Sequence, residues 1–487
     1  MTSGKVYIIG AGPGDPSLIT VKGQWILSQA DVVLVDHLVH PTLLSYCKDQ
    51  AEIIYVGKQK GKHSITQKAI NEKLVFYAKK HSMIVRLKGG DPFIFGRVGE
   101  ELNCLTQHSI PFEVIPGVSS AIAGPGYAGI PLTYRNLSRS VAFVTGTLKR
   151  DQAAIDIPAA DTLVFLMGFY HLTELVKQLL QLSRFNSKTP IAAISKASTA
   201  DQQTIISTLG TVCQNKAVQQ LQTPVLLVVG SVITVQNSCS FIESLPLFGH
   251  RIILCRPRHQ SFDWYQKLQC LGADVVIAPF IKTTFQTQQA KKLTQSFLSS
   301  VDIICFTSSN AVDYFFQALA ANGLDSRQLA HKTIAAIGDK TATSLKGYSI
   351  IADMIAQEPS QLGLATTLSS NLNQSHICYP TSTKAATTLQ DICKQHGAKV
   401  TRLELYDTSF VQPATFTVQQ SDIIIFSSPS IVDSFLNVYD HYKHTIYAVA
   451  LGSTTANYLS QHSFSNIIIP DSPSIDSIVS AIMKQKL

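Results

Sequence analysis

Short runs rich in Val, Ile and Leu recur through the first half of the chain, and longer amphipathic stretches separate them. This rhythm predicts parallel β-sheets covered by helices, because a strand that is buried on both faces reads as a continuous apolar run. The predicted strands are Val6–Ile9, Val32–Val35, Ile53–Val56, Ile84–Leu87, Phe112–Ile115, Val141–Thr145, Thr162–Leu166, Ile191–Ile194 and Val225–Val229.

Turn-forming residues interrupt this series at Pro116-Gly117 and again at Gly124-Pro125-Gly126. Because such residues break helices and strands, we expect two α/β lobes that meet near residue 120, with a cleft between them. A further interruption, Phe241–Gly249, precedes a fresh strand-like run and predicts a linker. The predicted domains are residues 1–240, with lobes of about 1–118 and 119–240, the linker 241–249, and residues 250–487.

The second half of the chain repeats part of its own pattern. Asp302–Val312 resembles Asp422–Val432, and the segment after each copy, Ile334–Ala342 or Tyr447–Ala456, matches its counterpart. In each copy a strand is followed by a small, hydroxyl-bearing turn that begins a helix, which points backbone N–H groups and hydroxyls at an anion. The repeat predicts two similar α/β lobes in this half.

Length and composition indicate a globular protein with more than one core. The chain has 487 residues, of which 45% are apolar and 15% charged. No apolar run reaches the length of a membrane-spanning helix, and the N-terminus does not resemble a signal peptide. Nine scattered cysteines without a CxxC pair indicate neither a zinc site nor a disulfide framework. We therefore expect a cytoplasmic enzyme without a metal and without a membrane partner.

The chain carries a mild positive charge. The net charge of +8 arises from 40 Lys and Arg residues against 32 Asp and Glu residues, without long basic runs. Nucleic-acid binding would require a denser basic patch, so we expect no nucleic-acid partner. The excess fits an ordinary solvated surface, and it also fits a small polyanionic ligand that is drawn into a cleft.

Three N-terminal glycines, Gly10, Gly12 and Gly14, follow the first predicted strand and at first suggest a dinucleotide-binding fold. Asp36, at the end of the second strand, would then take the place of the ribose-binding carboxylate. The pattern fails at Asp15, where the third glycine of that motif belongs and where a carboxylate would repel a phosphate. A nicotinamide- or flavin-dependent oxidoreductase is therefore the weaker alternative.

Several longer motifs resemble those of the uroporphyrinogen-III C-methyltransferases, which belong to the tetrapyrrole methylases. The resemblance covers roughly residues 4–240, with the motifs in order and at family-like spacing. They are Gly10-Ala-Gly-Pro-Gly-Asp-Pro16, Ala30–Val39, Val56-Gly-Lys58, Arg86-Leu-Lys-Gly-Gly-Asp-Pro-Phe-Ile-Phe-Gly-Arg97, Pro116-Gly-Val-Ser-Ser120 and Gly129-Ile-Pro-Leu-Thr133.

This resemblance implies that S-adenosylmethionine, the methyl donor, binds in the cleft between the lobes. It places the proton acceptor on Asp36 and the proton donor on Lys58, and it implies a homodimer formed through this domain. Two positions depart from the family, since Ala197 replaces a glycine that contacts the cofactor and Tyr134 replaces a histidine. The implied cofactor contacts are Pro13, Gly89, Gly90, Asp91, Ile94, Ser119, Ser120, Met167 and the Ala197 position.

Residues 250–487 resemble the uroporphyrinogen-III synthases, again through motifs in order rather than through any one of them. That family folds as two lobes joined by two strands, which implies one lobe of about 250–281 plus 409–487 and another of about 282–408. Its reaction closes hydroxymethylbilane into a ring with loss of water, without a metal or an organic cofactor. The motifs are Leu254–Pro257, Leu271–Asp274, Phe306–Ala311, Ala336–Gly338, Glu404–Thr408 and Ser427–Ser430.

Hydroxyl groups at the strand ends suit the eight carboxylates of a tetrapyrrole substrate. Tyr406 matches the tyrosine that the family places near the leaving hydroxyl, although a half-buried strand tyrosine is the plain alternative. The segment Cys378–Lys384 lacks the usual arginines, which leaves Lys384 as the nearest cation. The substrate-binding candidates are Thr307, Ser308, Ser309, Ser427, Ser428, Thr454 and Thr455.

The sequence thus predicts an α/β protein that joins a two-lobed tetrapyrrole methylase domain to a two-lobed synthase-like domain. Its predicted function is to make uroporphyrinogen III and to methylate it twice, giving precorrin-2. One alternative is that the second half is a non-catalytic module that delivers substrate. Another is methylation of a later cobalamin intermediate, although Lys88–Arg97 favours the uroporphyrinogen branch. Whether the product enters siroheme or cobalamin synthesis stays open.

Overall fold

A computed structural model describes residues 4–48, 50–57, 65–147, 154–238, 241–411 and 416–485. The chain forms two compact units, one of Met1–Pro279 with Pro413–Leu487 and the other of Phe280–Gln412. In this described part, no helix combines the length and hydropathy needed to cross a bilayer.

The first part of the larger unit is built on a parallel sheet of five strands, in the order β3-β2-β4-β1-β5. All five strands were predicted from their apolar runs, and the central strands β2, β4 and β1 are largely buried because helices cover the sheet. In a parallel sheet the carboxyl ends of the strands share one edge, where ligands commonly bind. The elements are β1 (Lys5–Gly10), α1 (Val21–Leu27), β2 (Val32–Val35), β3 (Glu52–Tyr55), α2 (Gln67–Ala78), β4 (Met83–Lys88), α3 (Val98–Gln107), β5 (Phe112–Ile115) and α4 (Ser120–Tyr127).

The second sheet is mixed, so the prediction of a parallel sheet is wrong here. Its order is β6-β7-β10-β8-β9, and only β6 and β7 run parallel. The edge strand β9 was not predicted, because its Gln, Thr and Ser residues hide the apolar run. The elements are β6 (Val141–Thr145), β7 (Thr162–Leu166), α5 (Leu172–Gln181), β8 (Pro190–Ser195), β9 (Gln203–Thr208), α6 (Lys216–Gln219) and β10 (Val225–Val229).

The predicted break at Gly124-Pro125-Gly126 is also wrong, since these residues lie inside α4. A Cβ atom on Gly124 would collide with Cδ1 of Leu226, so the glycine lets α4 approach β10 this closely without displacing the leucine side chain. The residues therefore serve helix packing rather than chain reversal.

The predicted linker is anchored at both ends. Oε1 of Glu243 accepts hydrogen bonds from Gln202 Nε2 at 2.9 Å and from Thr204 Oγ1 at 2.8 Å. Farther along, Leu247 is fully buried and its backbone N–H donates to the carbonyl of Leu271 at 2.9 Å. This segment thus ties the second sheet to the elements that follow.

After the linker the chain forms β11 (Arg251–Leu254), α7 (Arg258–Cys270) and β12 (Asp274–Ile277), and then enters the smaller unit. That unit contains a six-stranded sheet in the order β13-β18-β17-β14-β15-β16, and its first and last strands along the chain, β13 and β18, pair antiparallel. Its elements are β13 (Ile281–Phe285), α8 (Thr287–Ala290), α9 (Gln295–Ser299), β14 (Ile303–Phe306), α10 (Ser309–Ala321), β15 (Thr333–Ala336), α11 (Asp339–Lys346), β16 (Met354–Ile355), α12 (Gln361–Leu368), β17 (His376–Ser382), α13 (Thr388–Gln395) and β18 (Lys399–Phe410).

The chain then returns to the larger unit and completes its third sheet, which is parallel and has the order β12-β11-β19-β20-β21. The returning elements are β19 (Ile423–Phe426), α14 (Pro429–Tyr439), β20 (Tyr447–Ala450), α15 (Ser453–Gln461), β21 (Asn466–Ile468) and α16 (Ile475–Lys484).

The internal repeat predicted for the second half is confirmed by backbone geometry. Ser308 and Ser428 both precede a helix with φ and ψ near −164° and 157°. Gly338 and Gly452 likewise precede α11 and α15, each with φ close to 180°. The two copies lie in different units, so each unit presents its own pair of strand-to-helix turns.

Candidate functional site

Three glycines meet at the carboxyl edge of the first sheet. A Cβ atom on Gly10 would lie 2.6 Å from Cα of Gly117 and 2.7 Å from the carbonyl oxygen of Gly90, and neither backbone could move aside cheaply. Gly90 has φ of +67°, and its N–H donates to the carbonyl of Gly12 at 2.7 Å. Glycine is therefore required where the three segments converge, and the edge presents bare backbone to a ligand.

Asp91 fixes the turn that carries these glycines. Its Oδ1 accepts a hydrogen bond from the N–H of Phe93 at 2.7 Å, and its Oδ2 accepts one from the N–H of Gly117 at 2.8 Å. Gly89 and Ile94, on either side, are half-buried. The carboxylate thus braces the strand end, and its free lone pairs remain for a ligand.

The glycine loop packs on a segment that follows β8. A Cβ atom on Gly14 would lie 2.8 Å from Ser198 Oγ, and the N–H of Asp15 donates to that hydroxyl at 3.2 Å. Pro13 is half-buried and Ala197 is buried. No local pattern predicts this contact, which brings the Pro13 and Ala197 positions to one place.

The cofactor candidates in the second lobe adopt unusual backbone conformations. Met167, at the end of β7, has φ of +58° and is 54% exposed, and Lys196 and Ser198 also have positive φ. Non-glycine residues adopt this conformation rarely, and such strain concentrates at functional sites. An exposed methionine held in this way offers apolar surface to a ligand.

Ser119 and Ser120 stand at the start of α4. Ser119 is buried and caps this helix, since its Oγ accepts a hydrogen bond from the N–H of Ala121 at 3.2 Å. Ser120 is half-buried, and its backbone nitrogen lies 3.8 Å from where a Cβ atom on Gly90 would sit. The helix start therefore faces the glycine edge.

The loop geometry disfavours a dinucleotide. Asp15 caps a short 3-10 helix, Pro16–Leu18, and α1 begins only after its own cap, Thr20. The glycine loop is thus separated from the helix N-terminus that would hold a pyrophosphate.

Asp36 lies just beyond β2 and is held by a buried charge network. Nη2 of Arg86 donates to Asp36 Oδ1 at 2.6 Å, while Nε of Arg86 donates to Glu101 Oε1 at 3.1 Å. Nζ of Lys88 donates to both oxygens of Glu101 at 2.9 and 3.0 Å. The network contains two cations and two carboxylates, so its charges balance.

Burial makes this network costly to disturb. Arg86, Lys88 and Glu101 are at most 4% exposed. Burial and the neighbouring Arg86 lower the pKa of Lys88, against the opposing effect of Glu101. Sequence reasoning missed these three residues, although an Arg and a Lys inside an apolar strand were a visible signal.

Lys58, the predicted proton donor, lies outside the described residues. The chain before it is placed, since the N–H of Val56 donates to the carbonyl of Val35 at 3.0 Å. A Cβ atom on Gly57 would lie 2.6 Å from the backbone nitrogen of His37. The segment leading to Lys58 therefore abuts the segment leading from Asp36. Tyr134, the other departure from the family, is 46% exposed and pairs with Ser138 in an isolated bridge.

In the smaller unit, Tyr406 lies beside the start of α10. Its hydroxyl is 3.1 Å from Oγ of Ser308, which also accepts a hydrogen bond from the N–H of Ala311. The Tyr406 ring stacks on Tyr314 with centroids 4.9 Å apart and is 7% exposed. Burial raises the pKa of Tyr406, so its phenol stays protonated and able to donate.

Thr307 takes part in a second hydroxyl pair in this unit. Its Oγ1 donates to the hydroxyl of the fully buried Tyr379 at 3.4 Å, and Gln361 Nε2 reaches the same hydroxyl at 3.5 Å. Ser309 begins α10 and is half-buried. Tyr379 and Gln361 were not predicted, because a buried strand tyrosine and a helix glutamine carry no motif.

Lys384, the predicted nearest cation, donates from Nζ to the carbonyl of Thr408 at 2.9 Å. It is thus placed beside the strand that carries Tyr406, although its ammonium group is already partly engaged.

The hydroxyl candidates of the other copy lie at the carboxyl edge of the third sheet. Ser427 and Ser428 are half-buried, and Ser428 Oγ lies 2.9 Å from Ser430 Oγ. Thr454 is exposed, whereas Thr455 is buried, as is Thr341 at the matching position of the first copy. This repeated third helical position therefore faces the interior.

Arg256 is a further cation at this edge, at the end of β11. It is 8% exposed, and its guanidinium lies over the ring of Trp264, 4.1 Å from the centroid. Among the described residues its Nη2 has no hydrogen-bond partner. A buried, partly unsatisfied guanidinium is suited to a carboxylate ligand. Its motif, Leu254–Pro257, was visible, but the arginine was not singled out.

Comparisons with known proteins match both halves. Residues 5–213 match the family Tetrapyrrole (Corrin/Porphyrin) Methylases, and residues 263–480 match the family Uroporphyrinogen-III synthase HemD. The porphyrin biosynthesis protein HemD of Ruminiclostridium josui is 32% identical over 99% of this chain and 98% of its own length.

Shorter relatives match the first half. A uroporphyrinogen-III C-methyltransferase of Methanocaldococcus jannaschii is 48% identical over 48% of this chain and 99% of its own length. A siroheme synthase of Psychrobacter cryohalolentis is 45% identical over 50% of this chain and 47% of its own length. The chain therefore belongs to the family of bifunctional porphyrin biosynthesis proteins that join a uroporphyrinogen-III C-methyltransferase to a uroporphyrinogen-III synthase.

Proposed function

We propose that this protein cyclises hydroxymethylbilane to uroporphyrinogen III and then transfers two methyl groups from S-adenosylmethionine to give precorrin-2. The observation that supports the methyl-transfer step most directly is the convergence of Gly10, Gly90 and Gly117, where an added Cβ on Gly10 or Gly117 would strike backbone. We further propose that residues 1–240 and 250–487 are the two catalytic domains, joined by 241–249.

The residues present fit S-adenosylmethionine. Bare backbone at Gly89 and Gly90 allows close approach, Asp91 has lone pairs free for hydroxyl or ammonium groups, and Met167 offers apolar surface. Pro13, Ile94, Ser119, Ser120 and Ala197 complete the proposed set. When bound, the cofactor supplies an electrophilic methyl group.

The chain's own residues orient the pyrrole carbon and take up the proton that the macrocycle loses after methylation. Asp36 is the proposed acceptor, because its carboxylate lies at the carboxyl edge and Arg86 fixes one of its oxygens. The other oxygen remains to take the proton released when the methylated ring regains its unsaturation. Lys58 is the proposed donor. Orientation of the two reactants supplies most of the rate.

For the synthase reaction, we propose that hydroxyls and backbone N–H groups hold the substrate carboxylates while Tyr406 assists departure of the hydroxyl. The donor state of Tyr406 and its contact with Ser308 support this role. The binding groups are Thr307, Ser308, Ser309, Ser427, Ser428, Thr454 and Thr455, to which Arg256 is added.

Two separate assays test the proposal. Uroporphyrinogen III and S-adenosylmethionine should give a product that is heavier by two methyl groups. Hydroxymethylbilane alone should give the type III isomer. A methylated product together with only the type I ring would support the alternative that the second half is a substrate-delivery module. Failure to methylate uroporphyrinogen III would refute the first assignment.

Three expectations remain predictions: the homodimer formed through the methyltransferase domain, the cytoplasmic location, and the use of precorrin-2 for siroheme or cobalamin.

A further inference from the structure

The segment Arg258–Ile277, here called the clamp, contains α7 and β12 and belongs to the synthase half. It packs within the larger unit against the methyltransferase half. It meets that half at three places, each close in sequence to a residue of the proposed methyl-transfer site.

The first contact is made by Gln269 near the end of α7. Its Nε2 donates to Oδ1 of Asp15, in the glycine loop. The same carboxylate accepts hydrogen bonds from Tyr127 Oη at 2.6 Å and from the N–H of Ser17 at 2.7 Å. Asp15 thus accepts hydrogen bonds from three donors, one of which comes from the synthase half, and it fixes the loop that carries Pro13.

The second contact centres on Asp274, the first residue of β12. Nε2 of His40 lies 2.7 Å from Asp274 Oδ1, and the backbone of Ala200 lies close enough to the same carboxylate to help lower its pKa. Nδ1 of His40 accepts a hydrogen bond from the N–H of Thr42 at 3.3 Å, so Nε2 carries the hydrogen atom and donates the hydrogen bond to Asp274. One carboxylate therefore binds segments from both lobes of the methyltransferase half.

The third contact closes the edge of the third sheet. Thr42, which is 1% exposed, donates from Oγ1 to the carbonyl of Val275 at 3.0 Å and accepts from the N–H of Ile277 at 3.2 Å. β12 is the edge strand, so these groups would otherwise be unpaired. The hydroxyl locks β12 onto the turn that follows β2.

These contacts share a pattern. Asp15 adjoins the glycine at position 14, His40 lies four residues after Asp36, and Ala200 lies three residues after Ala197. The clamp therefore touches the glycine loop, the Asp36 loop and the Ala197 segment together. It does so from outside the proposed contacts with the cofactor.

We propose that the clamp is a positioning element for methyl transfer, in which Gln269 and Asp274 of the synthase half hold three segments of the methyltransferase site in their relative positions. The inference rests on the proposed function. The methyltransferase of Methanocaldococcus jannaschii matches only 48% of this chain over 99% of its own length, so it has no counterpart of the clamp in the matched region. The clamp therefore adjusts the geometry of a site whose own residues all belong to the methyltransferase half.

The test uses the full chain and S-adenosylhomocysteine as the probe, with its Kd measured by calorimetry. Gln269→Leu should raise the Kd about 10- to 150-fold, the loss expected for one hydrogen bond to a charged group. Gln269→Glu should raise it further, because a second carboxylate would face Asp15. Gln266→Leu and Gln266→Glu, at an exposed position of α7, are the matched controls and should leave the Kd within twofold.

The isosteric Gln269→Glu variant separates positioning from packing, since a packing role predicts no change. The rate of uroporphyrinogen III formation should stay within twofold of the unaltered chain in every variant. Hydrogen exchange of residues 36–46 and 197–203 gives a second readout, and Asp274→Asn should speed exchange in both segments. Unchanged affinity and unchanged exchange in folded variants would overturn the inference. If the unaltered chain failed to bind S-adenosylhomocysteine, the proposed function would be refuted instead. The hydrogen-exchange rates of the variants would then be the test of the clamp's positioning role.

Discussion

Nη2 of Arg86 lies 2.6 Å from Oδ1 of Asp36, and Nε of the same guanidinium donates a hydrogen bond to the fully buried Glu101. A proposed proton acceptor is thus fixed by a residue that lies inside the sheet. The hydrogen bond from Arg86 orients the Asp36 carboxylate through one oxygen, and the other oxygen can accept a proton from the substrate.

Asp36→Asn should therefore lower kcat for methylation by about 10²- to 10⁴-fold, because the amide cannot accept the proton. The asparagine oxygen can still accept from Arg86, so binding of S-adenosylhomocysteine should change less than threefold. Glu72→Gln, at an exposed position of α2, is the control and should keep full activity. Steady-state kinetics with uroporphyrinogen III decide the matter, and unchanged turnover would remove Asp36 from the mechanism.

Gly10→Ala should abolish measurable binding of S-adenosylhomocysteine and lower the free energy of unfolding by about 1–3 kcal/mol, because its Cβ would force the backbones of Gly90 and Gly117 apart. Gly99→Ala is the matched control. It lies in α3 with nothing within 4 Å of the added atom, so it should stabilise the protein by about 0.5–1 kcal/mol. Calorimetry and thermal unfolding measure both effects. Wild-type affinity in Gly10→Ala would show that the glycine edge is not the binding surface.

Tyr406→Phe should shift the product of hydroxymethylbilane from the type III isomer toward the type I ring, since the substrate would then close without assisted loss of hydroxide. Ser308→Ala should shift it less, because it removes only a partner of the phenol. Tyr348→Phe serves as the control in the same unit, since its hydroxyl donates to the half-buried Asp313 side chain instead. Chromatography of the oxidised porphyrins reads the isomer ratio. If Tyr406→Phe keeps the type III fraction, the tyrosine only packs the strand.

Because of the buried Asp422, the free energy of unfolding should fall as the pH rises from about 4 to 6. Burial raises the pKa of Asp422 to about 6, against the opposing effects of Arg251 and the N–H of Gln419. The folded state then holds this proton more tightly than the unfolded state, in which the carboxyl has a pKa of about 4. The stabilising contribution is present below pH 4 and is lost as pH rises through 6, at up to about 1.4 kcal/mol per pH unit.

Asp422→Asn should abolish this pH dependence, whereas the exposed Asp263→Asn should retain it. Urea unfolding at half-unit steps of pH would measure the difference between each variant and the unaltered chain. Parallel profiles for Asp422→Asn and the unaltered chain would contradict the assignment.

The first sheet could be predicted because its central strands are buried on both faces, and Val32–Val35 reads as an unbroken apolar run. Four strands of the second sheet were also predicted, but their directions could not be, because direction is set by tertiary pairing rather than by composition. The edge strand β9 was missed for a different reason, since polar residues at both of its ends leave only Ile205 and Ile206 as an apolar run.

The site was predicted only in part, for a related reason. Residues within motifs, such as Gly90 and Asp91, were found through resemblance. The contact of Gly14 with Ser198 joins residues 184 positions apart, which no local pattern encodes. The clamp was likewise invisible, because Gln269 and His40 are ordinary residues until the fold brings them to their partners.

The central claim is that one chain carries out both steps, and a single incubation tests it most directly. Hydroxymethylbilane and S-adenosylmethionine are supplied to the full chain without any other enzyme, and the product is identified by mass and by isomer. We predict precorrin-2, carrying two transferred methyl groups on the type III framework. Accumulation of unmethylated ring, or of the type I isomer alone, would contradict the account.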